Sequence, residues 1–182
     1  MPDFPIRVAT PDDVPALQRL IGESVRALSV GYYTAEQIDS GLRHVFGVDS
    51  QLIADGTYFL IEGPRGPVAA GGWSRRATLY GGDQHKTATD TLLDPATEPA
   101  RIRAFFVHPD WARRGLARRL FHACSLAARA AGFRSLQLGA TLPGVPLYEA
   151  LGFIAHEHVD AALPDGVVLP VVRMTRDIDE GR

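Results

Sequence analysis

Residues 108–119, His-Pro-Asp-Trp-Ala-Arg-Arg-Gly-Leu-Ala-Arg-Arg, set four guanidiniums around one glycine. A strand-like apolar run precedes them and a helical pattern follows. A helix starting here leaves its first backbone N–H groups unpaired and carries partial positive charge at that end. That is an anion site. Gly115 removes a side chain at the point of approach and Ala117 is nearly as small, while Arg113, Arg114, Arg118 and Arg119 offer donors suited to phosphate oxygens. The glycine spacing is not that of a Walker loop, Gly-x-Gly-x-x-Gly is absent, and no acidic cluster stands nearby to hold magnesium. The chemistry indicated is the binding of a diphosphate without metal. A solvated arginine face would use the same residues, and Arg118 and Arg119, deeper in the helix, suit it best.

Other reactive side chains carry less. His156 and His158 stand two apart on one strand face, but zinc needs further ligands that the sequence does not place nearby, so no metal is expected. Cys124 is the only cysteine, which excludes a disulfide framework and a cysteine-metal cluster; among alanines and leucines it reads as a buried, inert thiol. Trp73, Tyr32 and Tyr33 either line an acceptor pocket or pack as core aromatics. Arg75 and Arg76 either attract an acidic acceptor or are surface charge.

The elements that must position these residues follow from periodicity. Residues 4–9 read as a strand. Thr10, Pro11, Asp12 and Asp13 then open a helix whose apolar stripe is Val14, Leu17, Leu20 and Ile21. Residues 32–47 are a second helical candidate, again opened by a threonine. Tyr58–Glu62 and Val68–Ser74 read as a hairpin turning on Gly-Pro-Arg-Gly. Residues 77–100 have little periodicity and read as a long surface loop, with a strand ending near Leu79. Residues 101–107 form a strand stopped by Pro109, and the arginine stretch runs into a helix with Leu116, Leu120, Ala123 and Ala127 on one face, ended by Gly132. A strand over 135–140, a short helix from Pro146 to Gly152, and two strands flanking Pro-Asp-Gly complete the order β-α-α-β-β-β-α-β-α-β-β.

The totals agree with a soluble protein. The 182 residues suit one domain spanning 1–182. Apolar residues make 46% and charged residues 22%, and the net charge of -2 speaks against a general nucleic-acid binder. No apolar run approaches the roughly 20 residues of a membrane helix. No signal-peptide pattern opens the chain, so the expected place is the cytoplasm and no membrane partner is expected.

Strand "IRAFFVHP", turn "WARRGLA", helix, strand "LQLGA" and "PLYEALGF", in that order, resemble the GCN5-related N-acetyltransferase (GNAT) family over about residues 101–153. The family's phosphate motif, Gln/Arg-x-x-Gly-x-Gly/Ala, is filled by Ala112 to Ala117, with Ala112 departing at the first position. The resemblance implies a mixed α/β fold: a central, mostly antiparallel sheet, splayed at the cofactor site and flanked by helices on both faces. It implies acetyl-CoA as acyl donor, with no metal. Main-chain groups of Phe106 and Val107 would meet the pantetheine as an added strand. The amides of Arg113, Arg114, Gly115, Leu116, Ala117 and Arg118 would hold the pyrophosphate. The splayed strands would be 101–107 and 135–140, with Gly139 permitting close backbone approach or marking a bulge. Tyr148, in Tyr-x-x-x-Gly-Phe, would protonate the departing thiolate, and a phenol with pKa near 10 is protonated at neutral pH. Where many relatives carry an asparagine this chain has Pro143; Thr141 would supply a hydroxyl instead.

The implied function is N-acetyl transfer to a primary amine, small molecule or peptide, by direct attack in a ternary complex. A non-catalytic acyl-CoA-binding sensor or interaction module on the same fold is the alternative, and a nucleic-acid binder using the arginine helix is a third. The base has no spacing argument: Glu98, His44, His85, Glu62 and His108 are all candidates, as is a water chain, and His108 beside Pro109 suits a local hydrogen bond. Homodimers are common among the family, and the sequence leaves that state open.

Overall fold

The computed structural model describes residues 3–86 and 89–178. The elements run β1 (Ile6–Val8), α1 (Val14–Leu28), α2 (Ala35–His44), α3 (Ser50–Ala54), β2 (Tyr58–Gly63), β3 (Gly66–Ser74), β4 (Ala100–Val107), α4 (Leu116–Ala130), β5 (Ser135–Thr141), α5 (Val145–Ala150), β6 (Ile154–Ala162) and β7 (Val168–Asp177). The strands form one seven-stranded sheet in the order β1-β2-β3-β4-β5-β7-β6. Every neighbouring pair is antiparallel except β4 and β5.

Helices cover both faces, which strand alternation makes possible. In β2, Tyr58 and Leu60 pack with Leu17, Leu20, Ile21 and Val25 of α1. Ile61, one residue on, points the other way onto Leu116 and Leu120 of α4. β3 lies between the two layers, and every residue from Val68 to Ser74 is buried. The buried stripe of α4 is Leu116, Leu120, Phe121, Cys124 and Ala128, rotated from the expected one, with Ala123 and Ala127 half-buried at its edge.

Local chemistry sets the ends. Asp13 accepts from the Thr10 backbone N–H at 2.7 Å and from the Arg7 guanidinium. Pro11 opens a separate 3-10 turn rather than α1 itself. At α2, Thr34 accepts from the Gln37 N–H and the Gln37 side chain returns to the Thr34 N–H, a reciprocal cap that starts the helix three residues later than 32.

Two expectations fail here. Among the described residues from Arg75 to Pro99 no strand forms near Leu79; Arg76 bridges Leu92, and short turns form at Asp83–His85 and at 95–97. The segment is also not a plain surface loop: Gly82 and Leu93 are buried and Tyr80 packs against the α1 core. Gly139 is not a bulge, because β5 pairs regularly with β7 through Gly139 and Arg173.

Candidate functional site

A cleft of about 610 Å³ opens where β4 and β5 diverge. The two strands share only the rungs Ala100 with Leu136 and Arg101 with Gln137. Beyond them β4 is bent by a bulge: Ala70 faces Phe106 while Gly72 faces Arg103, leaving two residues of β4 opposite Gly71. Ala104 sits in the bulge at φ 55, a conformation that costs an L-residue about 1–2 kcal/mol. The fully buried Tyr58 donates its hydroxyl to the Ala104 carbonyl at 3.0 Å and holds the bulge in place.

One end of the cleft is the start of α4. Arg113 at φ 63 and Gly115 at φ 80 both take left-handed backbone, which turns successive N–H groups to one side. The first amide to bond back into the helix is that of Arg119, onto the Gly115 carbonyl at 3.1 Å. Among the described residues no carbonyl accepts from the N–H groups of residues 113–118. A Cβ on Gly115 would meet nothing within 4 Å, so the glycine serves the backbone angle and leaves the approach open. Ala112, Arg113, Gly115, Leu116, Ala117 and Arg118 line this end. The Leu116 side chain is in the core, so only its main chain faces a ligand.

Two of the four guanidiniums are engaged elsewhere. Arg114 lies over the Trp111 ring at 4.8 Å and does not line the cleft. Arg119 binds Asp3 at 3.1 Å and the Phe4 carbonyl at 2.7 Å, tying down the N-terminal segment.

Tyr148 stands midway along the cleft, on α5. Its ring packs edge-on to Phe153 at 5.7 Å. The hydroxyl meets no hydrogen-bond partner among the described residues and keeps some solvent-accessible surface beside the cleft that Tyr148 lines. Burial pushes this phenol well above its ordinary range and keeps it protonated. Thr141 lines the same wall and its side chain caps nothing. On β4, the His108 N–H bonds the Val68 carbonyl, so the Val107 N–H one residue back turns away from β3 into the cleft, where Ser24 Oγ lies at 3.3 Å. The same alternation directs the main chain of Phe106 to β3, a correction to the expectation that both residues expose their main chains. Phe106 reaches the cleft through its side chain, beside Phe46.

The far end is formed by the C-terminal half of α1, residues 45–47 and residues 79–82. Here the sequence hid the governing contact. Arg103, 2% exposed in mid-β4, donates to Asp49 at 2.9 Å, to the Gly81 carbonyl at 2.5 Å and to the Thr78 carbonyl at 3.3 Å. Asp49, 1% exposed, also binds Lys86 at 2.6 Å. The pair anchors the 78–86 segment beneath the cleft. Gly139 completes the seat: a Cβ there would lie 2.9 Å from the Tyr80 ring. A charged residue inside an apolar strand was the available signal, since it demands a buried partner.

Of the aromatic candidates only Tyr32 lines the cleft. Tyr33 is structural: its hydroxyl donates to the Pro170 carbonyl at 2.6 Å and accepts from the Leu142 N–H at 3.0 Å. Trp73 is core, packed edge-on to Phe133. Arg76 is paired with Asp55 at 2.7 Å and Arg75 lies over Trp73, neither at the cleft. None of the candidate bases lines it either. His44 faces Asp165 at 3.5 Å, Glu62 is taken by Arg7, and Glu98 caps the Asp94 N–H. His108 makes the local bond, accepting from the Asp110 N–H at 3.2 Å. His85 stacks on Tyr80 at 5.1 Å, and burial first, then the Arg103 charge, lowers its pKa. His156 falls in a β6 bulge, so His156 and His158 lose the simple same-face relation. Cys124 is fully buried and its thiol is pushed far up.

Residues 92–170 match the profile of the acetyltransferase (GNAT) domain. The chain has the GNAT fold. A GCN5-related N-acetyltransferase structure from Rhodopseudomonas palustris aligns at TM-score 0.72 and 19% identity over 97% of both chains. A putative acetyltransferase, yncA, from Salmonella typhimurium with its cofactor acetyl-CoA aligns at 0.64 and 16%, over 100% of this chain and 97% of that one. A GNAT phosphinothricin acetyltransferase from Sinorhizobium meliloti, in complex with acetyl-CoA, aligns at 0.62 and 17%, over 98% and 90%. No curated protein sequence matches. The GNAT elements named from sequence, strand, turn, helix, strand and tyrosine, thus meet around one cleft. No described helix is long and apolar enough to cross a membrane.

Proposed function

We propose that this GNAT protein is an acetyl-CoA-dependent N-acetyltransferase acting on a primary amine by direct attack in a ternary complex. The observation that carries the reading is the run of unclaimed amides at 113–118 opening onto the same cleft as the Tyr148 hydroxyl. Those amides, aided by the Arg113 and Arg118 side chains, would hold the pyrophosphate. Val107 would meet the pantetheine through its main chain, with Ser24 releasing the N–H. Thr141 would add a hydroxyl contact. Acetyl-CoA would supply an acyl group activated as a thioester. Tyr148 would give its proton to the departing sulfur, and main-chain N–H groups of β4 would polarise the acyl carbonyl.

Calorimetric titration with coenzyme A, followed by thiol release from acetyl-CoA with an amine panel, tests this. Tyr148→Phe is expected to lower kcat about 100-fold or more while CoA affinity stays within a few-fold. Unchanged turnover would remove the tyrosine from the reaction. The second reading, an acyl-CoA-binding module, is favoured by one observation: no carboxylate or imidazole among the described residues lines the cleft. CoA uptake without thiol release under any amine would establish it.

A further inference from the structure

That missing base has a second consequence, which rests on the acetyltransferase reading. The acceptor end of the cleft is apolar: Leu28, Tyr32, Val45, Phe46, Leu79 and Tyr80 line it. Among the described residues the ionisable side chains along the cleft are Tyr32, Tyr80, Tyr148, Arg113 and Arg118, so the full charges they bring are positive. The carboxylate beneath the acceptor end, Asp49, is fully occupied by Arg103 and Lys86, and Asp90 is drawn to Lys86 at 3.6 Å. His85, behind Tyr80, shows what this region does to a cation, since its protonated form is disfavoured by burial and by Arg103.

An alkylammonium of lysine type, with pKa near 10.4, is neutral in only about one molecule in 2,500 at pH 7. Using more than that fraction requires a base, or a water chain ending on one, to take the proton, or an anion to hold the cation. The described cleft offers neither. We infer that the acceptor is an amine of low basicity, already neutral at pH 7 and borne on an apolar body: an arylamine or an O-alkyl hydroxylamine rather than a polyamine or a lysine side chain. The nitrogen lone pair forms the bond to the acyl carbon, the carbon–sulfur bond breaks, and sulfur takes the Tyr148 proton. The surplus proton on nitrogen passes to water, from which Tyr148 is reprotonated.

The test compares 4-methylaniline, an O-benzyl hydroxylamine, benzylamine, spermidine and a lysine peptide, by thiol release and product mass from pH 6 to 9. The expected result at pH 7 is kcat/KM at least tenfold higher for the first two than for benzylamine. Their rates stay flat with pH while the benzylamine rate climbs about tenfold per unit, tracking its neutral fraction. Tyr32→Glu places an anion at the half-exposed mouth and is expected to raise the benzylamine-to-arylamine ratio about tenfold. A preference for spermidine or the peptide, a benzylamine rate flat in pH, or a ratio unmoved by Tyr32→Glu overturns the inference and leaves acetyl transfer standing. Absence of CoA uptake by calorimetry overturns the acetyl-CoA reading itself, and the inference with it.

Discussion

Asp49→Asn removes one charge and almost no volume. The cap on the Gln51 N–H, 3.0 Å from Asp49 Oδ1, survives in an asparagine through its own carbonyl oxygen. Lys86 has Asp90 within 3.6 Å and can turn to it. Arg103 has no such recourse: it is buried, its Nε already lacks a partner, and its remaining bonds go to the Thr78 and Gly81 carbonyls. Breaking a buried ion pair from one side costs about 3–5 kcal/mol. For a chain of this length that lowers Tm by on the order of 10 °C. Urea denaturation and thermal scans measure the loss. CoA titration should change only a few-fold, because the amides of 113–118 lie at the other end of the cleft, whereas acceptor KM should rise as residues 78–82 loosen. The double replacement Asp49→Leu with Arg103→Met should cost less than the two single changes summed, since it leaves no orphan charge. The reasoning fails if Asp49→Asn costs under about 1 kcal/mol, or if CoA affinity falls in step with stability.

Gly115→Val is expected to cost about 1–2 kcal/mol of stability through its backbone angle. It should abolish CoA heat, because the new side chain projects into the open approach; retained affinity would move the phosphate site elsewhere. Gly139→Leu should dislodge Tyr80 and raise acceptor KM at least tenfold with CoA affinity kept, read by steady-state kinetics beside calorimetry. The Arg7 guanidinium, helped by the Thr10 N–H, holds the Asp13 carboxyl far below the usual carboxylate range. A depressed folded value gives stability that is complete above about pH 4 and lost as pH falls further, so Arg7→Met should flatten the acid limb of a pH-stability curve. With Arg7 41% exposed the effect is modest and should shrink in salt. Cys124 should react with a thiol reagent only in denaturant, leaving thiol-release assays free of background.

The strands, the long helices and the tight turn before α4 were legible because each rests on local pattern: alternation, helical spacing, a glycine before a helix. That Tyr148 would stand on the cleft wall was legible from its spacing to Gly152 and Phe153. What escaped was non-local. The Arg103–Asp49 pair joins residues 54 apart in sequence, and Asp49 looks locally like an ordinary helix cap. α3 is five residues long, too short for periodicity to register. The described residues of 75–99 gave no pattern because their hydrogen bonds join residues far apart in the segment, Ala77 to Thr91 and Leu93 to Arg75, and reach out to Arg103 and Asp55. The donors of Arg114 and Arg119 suit phosphate, but local pattern does not show that Arg114 stacks on Trp111 and that the N-terminal residues claim Arg119.

The two-rung junction of β4 and β5 makes the sheet a pair of wings with a narrow spine. A molecule lodged in that gap and bonded to both walls would act as a splint. Uptake should therefore slow deuterium exchange along β5 and β7 as well as at the turn over residues 113–118. The loaded wings should melt together, even if the empty ones come apart in successive steps.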